Sequence, residues 1–274
     1  MGSVTDEMLS RNVISQCDYI YHLAATIGVK NVVDHPLETI THNIHETELI
    51  LRYAFIKKIG VLITSTSEVY GKAPKLSLKE NGDFTLGPPT VKRWSYACSK
   101  ALDEFLGIAY HREHGLRVTL VRLFNIVGPG QVGHYGMVVP RFFKAALSNE
   151  PMYVYGDGNQ RRCFTYVDEA VKILIKLASL PKAAGEITNI GSNQEISIKQ
   201  LAHKIKSITE SSSRIVYSSY SSYYGKGFED IRRRRPDVTK LKRIAGTVPK
   251  MSIDQILLKL KKYYMDNPKE FERL

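Results

Sequence analysis

Between residues 18 and 125 short apolar runs alternate with segments of helical period, and that alternation restricts the fold more than any other feature. Asp18-Tyr-Ile-Tyr-His-Leu-Ala-Ala25, residues 61–64 and residues 117–124 read as strands. Residues 36–58, with Ile40, Ile44, Leu51 and Ala54 on the apolar side, and the stretch around 94–106 read as helices. Strands separated by helices need crossover connections, so a parallel sheet covered by helices is expected. Beyond the turn Gly128-Pro-Gly130 the pattern predicts a helix over 139–147, a strand over 152–155 and a buried extended run over 163–167. A helix from Asp168 to Leu180, a strand over 187–191 and helices over 197–208 and 253–264 follow. Residues 211–224, rich in Ser and Tyr, read as loop or extended strand, and Asp237 as a cap for a helix starting near Thr239. The expected division is residues 1–130 for the sheet and 131–274 for a smaller α/β region, intertwined at 160–191.

The strand at 61–64 runs into Thr64-Ser-Thr-Ser-Glu-Val-Tyr-Gly71, a hydroxyl-rich end. Tyr96-Ala-Cys-Ser-Lys100 lies about 30 residues later, within one strand–loop–helix unit. Positions i and i+4 share a helix face, so Tyr96 and Lys100 can enter one pocket. An ammonium beside a phenol favours the phenolate, which makes Tyr96 a candidate base. The small residues Ala24 and Ala25 at a strand end permit close approach of a ligand. After the turn Gly156-Asp-Gly158, at least one of Arg161 and Arg162 is expected to face inward as a phosphate clamp. One arginine of the run 232–235 is expected to reach a ligand while the others face water. The aromatic segment 217–224 is read as a covering loop, with stacking on a base as the alternative.

The net charge of +12 suits either a nucleic acid or a polyanionic small molecule, and the basic residues are dispersed except for that one run. We therefore expect no nucleic-acid partner. No apolar stretch approaches membrane-spanning length, so no membrane partner is expected and a cytoplasmic location is. Three widely spaced cysteines and eight unclustered histidines give neither a disulfide framework nor a metal site.

Five segments in order resemble the extended short-chain dehydrogenase/reductases, the NAD-dependent nucleotide-sugar epimerases, dehydratases and decarboxylases. They are Tyr21-His-Leu-Ala-Ala25, Ser65-Thr-Ser-Glu-Val-Tyr-Gly71, Tyr96-x-x-x-Lys100, Arg122-Leu-Phe-Asn-Ile-Val-Gly-Pro129 and Arg162-Cys-Phe-Thr-Tyr-Val167. The resemblance implies that Tyr96 takes the proton of a sugar C4 hydroxyl while NAD accepts hydride, giving a 4-keto sugar. It implies further that Lys100 lowers the tyrosine pKa and holds the nicotinamide ribose, that Thr66 contacts the reacting oxygen, and that Ser67 and Glu68 complete the catalytic set. Leu23, Ala24, Ala25 and Asn43 would line the cofactor path. Asn125 and Arg162 would hold the nucleotide diphosphate, with Tyr155 and Gln160 near the base, Val139 also on the substrate side and UDP the expected carrier. Residues 93–100, 222–227 and 234–237 resemble UDP-glucuronate decarboxylases, in which an arginine matching Arg234 lies at the substrate carboxylate. Residues 133–140 also resemble bacterial sugar epimerases, so 4-epimerisation and then 4,6-dehydration stand as alternatives. A homodimer through the helices at 36–58 and 94–114 is implied.

Two departures stand out. The chain does not open on a strand followed by a Gly-x-x-Gly-x-x-Gly turn; Gly2-Ser-Val-Thr-Asp6 resembles the end of the third strand, with Ser3 where the resemblance leads one to expect aspartate. The expected fold is thus an N-terminally truncated Rossmann-type parallel sheet, short by two βα units and a strand, roughly 60 residues. Either this is an enzyme whose missing strands come from another chain or were lost through a misplaced start, or the chain is a non-catalytic nucleotide-sugar-binding remnant. Glu46 also stands where the resembled Asn-x-x-Gly-Thr has glycine.

Overall fold

The computed structural model describes residues 2–74, 77–133, 137–225 and 228–272. Residues 134–136 and 226–227, which belong to two of the resemblance segments, lie outside the described residues. The chain opens with α1 (Glu7–Ser15), whose first turn is capped by the Asp6 carboxylate accepting from the Leu9 N–H at 3.0 Å. Residues 2–6, expected to end a strand, form a turn instead. Asp6 is a strong N-cap and drives this segment into a helix start. Next come β1 (Tyr19–His22), α2 (Val29–Asp34), α3 (Pro36–Lys57), β2 (Gly60–Thr66), α4 (Trp94–His114) and β3 (Val118–Leu123). Pro36 occupies the first turn of α3, where its missing N–H costs nothing, and Lys58 ends the helix in a left-handed conformation.

The strands β4 (Ile126–Val127), β5 (Met152–Tyr155), β6 (Arg161–Cys163) and β7 (Thr165–Tyr166) then alternate with α5 (Val138–Leu147) and lead to α6 (Val167–Ser179). β8 (Ile187–Ile190) returns to the first region, pairing in parallel with β3. The main sheet is parallel, in the order β1-β2-β3-β8. Its centre is β2, buried along almost its whole length, as the apolar run requires. Successive residues serve opposite faces: Val61 and Ile63 pack with Ile50, Leu51 and Ala54 of α3, while Leu62 packs with Ile173 and Leu177 of α6.

The remaining elements are β9 (Glu195–Ser197), α7 (Ile198–Ile208), β10 (Ile215–Ser218), α8 (Ser221–Tyr224), β11 (Arg233–Arg234), α9 (Thr239–Ala245), α10 (Ile253–Asp266) and α11 (Pro268–Glu272). Segment 211–224, read as loop or extended strand, contains a strand and also a short helix that was not expected. β10 exists because β5 offers it a parallel partner, a pairing no local pattern announces. A separate apolar core joins α5, α7 and α10 around Phe142, Leu201 and Leu257. Asp237 accepts from the Thr239 N–H at 2.9 Å, the capping role expected of it.

The apolar side of α3 is where the pattern put it at Leu51 and Ala54, but not at the helix's start. Ile40 is exposed, and the buried face carries Thr39, Asn43 and Thr47 beside Leu51 and Ala54. The polar stripe is satisfied by side chains of α4 and by the loop after β1, so it faces inward without penalty.

Candidate active site

β2 delivers Thr66 to the carboxyl edge of the sheet, and a 3₁₀ turn over Ser67–Tyr70 follows at once. The Thr66 hydroxyl accepts the Glu68 N–H at 3.2 Å, which leaves its own proton free to donate. Gly71 ends the turn at φ +56°, and any side chain there would collide with the Thr85 carbonyl. Beneath this corner lies a buried polar cluster. Glu104 receives Arg122 through both oxygens at 2.9 and 2.7 Å and Ser65 at 2.5 Å. The Arg122 guanidinium covers the Tyr70 ring, whose hydroxyl donates to Asn189 at 2.8 Å. Four residues of the resembled motifs (Ser65, Tyr70, Gly71 and Arg122) therefore build the corner rather than act at its surface.

Tyr96, in the first turn of α4, faces the same cavity as Thr66, Ser67 and Glu68, and its phenol lies in hydrogen-bonding contact with the Thr66 side chain. Lys100 does not join them. Its ammonium turns away along the helix to Asp103, Nζ to Oδ2 2.7 Å, and the two side chains are 2% and 0% exposed. The expected lowering of the tyrosine pKa is accordingly absent: burial and the nearby Glu68 carboxylate hold the phenol well above its ordinary value. A neutralised lysine offers little field, and desolvation then dominates.

Glu68 is equally engaged. Its Oε2 takes Arg93 at 2.8 Å and its Oε1 takes Arg234, which also reaches the Ser67 hydroxyl at 3.3 Å. Burial alone would push the glutamate pKa up, but Arg234 and Arg93 together bring it down to about 2. Arg93 continues to Asp230 at 3.4 Å, which in turn binds Arg162 at 2.9 Å and accepts the Tyr220 hydroxyl at 2.9 Å. Three guanidinium groups against two carboxylates leave one net positive charge in this cluster. Arg162 pays for the crowding: burial, then Arg234, lower its pKa to about 10.

A second cavity adjoins the first, and Arg93, Asn125, Ile126 and Arg234 line both. Asn125, at φ +41°, donates to the Cys163 carbonyl at 2.8 Å and so fixes the seam between them. Val139, Tyr155, Gln160 and Arg162 line the second cavity. Gln160 donates to the Tyr155 carbonyl at 2.9 Å, while its Oε1 is buried with no partner. Tyr155 stacks on Tyr223 with centroids 4.7 Å apart, and Tyr220, Tyr224 and Phe228 close the same side. The aromatic segment is thus a wall of this cavity. Of the arginine run, Arg234 is turned inward, whereas exposed Arg232 and Arg233 pair with Asp157 and Glu195.

On the cofactor side Leu23 and Ala25 line the first cavity, but Ala24 points outward. Asn43 is 1% exposed and holds the loop after β1, accepting from the Thr26 N–H at 2.7 Å and donating to Ser99 at 3.1 Å. It supports the cavity wall from behind. Apolar Leu23, Ala25, Val32 and Leu123 opposite the hydroxyls of Thr64, Thr66 and Tyr96 form a donor set that fits the nicotinamide and its ribose. Arg93 and Tyr220 fall within stretches noted in the sequence, 93–100 and 217–224, but without a role of their own; Arg141 and Asp230 fall in none, and Asp230 carried no signal because its partners are remote in sequence.

Comparison with known proteins agrees with this arrangement. Residues 1–191 match the model of the NAD dependent epimerase/dehydratase family. The chain is 45% identical over 255 residues to a UDP-N-acetyl-alpha-D-glucosaminuronate decarboxylase of Bacillus cytotoxicus, covering 92% of this chain and 78% of that protein. It is 32% identical to UDP-glucuronic acid decarboxylase 1 of Xenopus tropicalis over 96% of its length, and spans 62% of that relative. Among solved structures, UDP-glucose 4-epimerase of Thermotoga maritima superposes with a TM-score of 0.87 at 27% identity, covering 97% of this chain and 84% of the other. The chain belongs to the NAD-dependent epimerase/dehydratase family.

Proposed function

We propose that this protein decarboxylates a UDP-linked uronic acid. The observation that carries the reading is Arg234, an inward cation held between Ser67 and Glu68 in the cavity that also contains Thr66 and Tyr96. A uronate differs from an ordinary hexose by one carboxylate, and a guanidinium beside the base is the group that recognises it. The decarboxylase names of two relatives support the same reaction, and the greater likeness to the enzyme for the 2-acetamido uronate favours that substrate over plain UDP-glucuronate.

In this reading Tyr96, as phenolate, takes the C4 hydroxyl proton while Thr66 donates to the same oxygen. NAD, when bound, would supply the acceptor for the C4 hydride and the reductant for the later ketone. The carboxylate on C5 then stands β to a ketone. Its C–C bond breaks, carbon dioxide leaves, and the electron pair enters the C4 enolate, whose oxygen Thr66 and Tyr96 stabilise. C5 takes up a proton, and Tyr96 returns its own to the C4 oxygen when the ketone is reduced. Glu68, clamped between two arginines, serves to orient Arg234 rather than to exchange protons. Arg162 and Arg141 lie where they can bind the diphosphate, with Asn125, Val139, Tyr155 and Gln160 around the nucleoside. Residues 1–130 then act as the catalytic and cofactor part and 131–274 as the nucleotide-sugar part, intertwined at 160–191. The homodimer reading is supported by α3 and α4, which pack on each other and leave Leu37 (74%) and Phe105 (66%) exposed. Light scattering on the purified protein tests it; a monomer overturns it.

To test the reaction, the protein is incubated with NAD and either uronate carrying a labelled carboxyl carbon. Release of labelled carbon dioxide with formation of a UDP-pentose is expected. A 4-epimeric uronate without gas release would replace this reading by epimerisation, and binding of UDP-sugar without turnover would reject it.

A further inference from the structure

Five charged side chains from separate parts of the chain form one alternating series. It runs from Arg234 of β11 to Glu68, from Glu68 to Arg93 at the head of α4 (2.8 Å), from Arg93 to Asp230 (3.4 Å) and from Asp230 to Arg162 of β6 (2.9 Å). Asp230 is the joint of this series. Its Oδ1 also takes the Ile231 N–H at 2.8 Å and its Oδ2 the Tyr220 hydroxyl at 2.9 Å, so the carboxylate cannot swing without breaking several bonds. It is the only carboxylate within ion-pair distance of Arg162 among the described residues. Arg93 is fixed from behind: its side chain is 3% exposed, donates to the Glu229 carbonyl and lies over the Trp94 and Phe228 rings at 5.2 and 5.1 Å. Arg93, Arg162, Arg234 and Asp230 all border the second cavity. In the decarboxylase reading Arg234 meets the carboxylate on C5 and Arg162 the diphosphate on C1, with the sugar ring spanning the gap.

The geometry points to Asp230 as a positioning residue that acts through Arg162: it ties the arginine for the diphosphate to the frame that holds the arginine for the carboxylate, so that both anionic ends of the substrate are held in one register. The kinetic half of this inference rests on the decarboxylase reading; the electrostatic half rests on the ion pairs alone. Asp230 also withholds part of the Arg162 charge from the diphosphate. A guanidinium already paired with a carboxylate gains less from a second anion, which that carboxylate repels. The pairing therefore lowers affinity for the nucleotide and improves placement of the sugar. Placement sets the rate, since a misfit of about 1 Å at a reacting centre can cost about 100-fold.

Two readouts on the purified protein separate placement from plain structural support: calorimetry with UDP, and carbon dioxide release from a labelled UDP-uronate in the presence of NAD. Asp230→Asn frees one positive charge beside the diphosphate and is expected to tighten UDP binding about threefold, the effect of one unit charge about 6 Å away in water. The same variant should lower kcat for the uronate by at least about tenfold. A residue with a merely structural role would weaken both. Weaker or unchanged UDP binding, or a wild-type kcat, overturns the proposal. In an Arg162→Met background the gain in UDP affinity from Asp230→Asn should shrink by more than half, as for two residues that act as a unit. A gain of full size would mean that Asp230 acts on UDP directly, and the proposal fails. If Asp230→Asn does not fold, Asp230→Glu decides: it keeps the charge on a longer stem, so UDP affinity should match wild type while kcat falls about tenfold. A wild-type kcat in that variant sinks the proposal. If the wild type itself releases no carbon dioxide, the decarboxylase reading fails and the calorimetric arms still decide the role of Asp230.

Discussion

Lys100 and Arg234 are both buried beside a carboxylate, yet they put their charge to different uses. The lysine is enclosed between α3 and α4, shares its charge with one aspartate and meets a second carboxyl in Glu46. The arginine stands at the seam of two cavities, in a cluster where cations outnumber anions by one. The first arrangement is closed and neutral; the second is open and in want of an anion. A positive charge in a protein becomes a binding site only where its partners leave some of it unspent, and the planar fork of arginine lets one group hold Glu68 and still face the cleft.

The largest blow to the catalytic end is Tyr96→Phe. Loss of a positioned base should cut turnover about 10³-fold, while the lost contact to Thr66 changes unfolding free energy by about 1 kcal/mol at most. Activity within tenfold of wild type would move the base elsewhere. At the open end, Arg234→Met should lower turnover of a uronate by about 100-fold. It should also cost about 3 kcal/mol in urea unfolding, because Glu68 loses one of its two guanidinium partners. An unchanged rate would show that the substrate carboxylate lies elsewhere.

A third experiment probes the closed end through acid stability. Burial, aided by the charge of Lys100, holds the His22 pKa at about 3 instead of 6.5. The folded protein keeps this ring neutral while the unfolded chain protonates it below pH 6.5, so stability should fall as pH drops from 6.5 toward 3. Glu68 contributes in the same direction but only between its ordinary 4.5 and about 2, because the folded state holds it ionised. His22→Asn should therefore flatten the pH dependence of the unfolding midpoint between 6.5 and 4.5, where the histidine alone of these two groups acts. A slope that persists would place the acid-sensitive group elsewhere. Smallest of all, Arg232→Ala should leave the melting temperature unmoved, since its pair with Asp157 is solvent-exposed on both sides.

Much of the candidate site was legible because local geometry specified it. Thr66 and Tyr96 sit at a strand end and on the helix of the same unit, so their convergence follows from chain connectivity. That at least one of Arg161 and Arg162 faces inward was legible because the run after them is apolar; the fold chose Arg162, which is buried against Asp230. Asn43 was misassigned to the cofactor wall because nothing near it in sequence shows that the Thr26 N–H and Ser99 need its amide. Ile40 was misassigned because α3 hides a polar stripe whose partners come from two other elements.

The sequence by itself determined the parallel sheet, since apolar runs separated by helical segments leave few other layers. Tertiary structure decided the ion pairs. Spacing along α4 allows Lys100 to turn to Tyr96 or to Asp103, and in the folded chain it pairs with Asp103 at 2.7 Å. Helix geometry brings side chains within reach of one another. Which contact forms is set by desolvation and by neighbours from elsewhere in the chain, and those become visible only once the chain is folded.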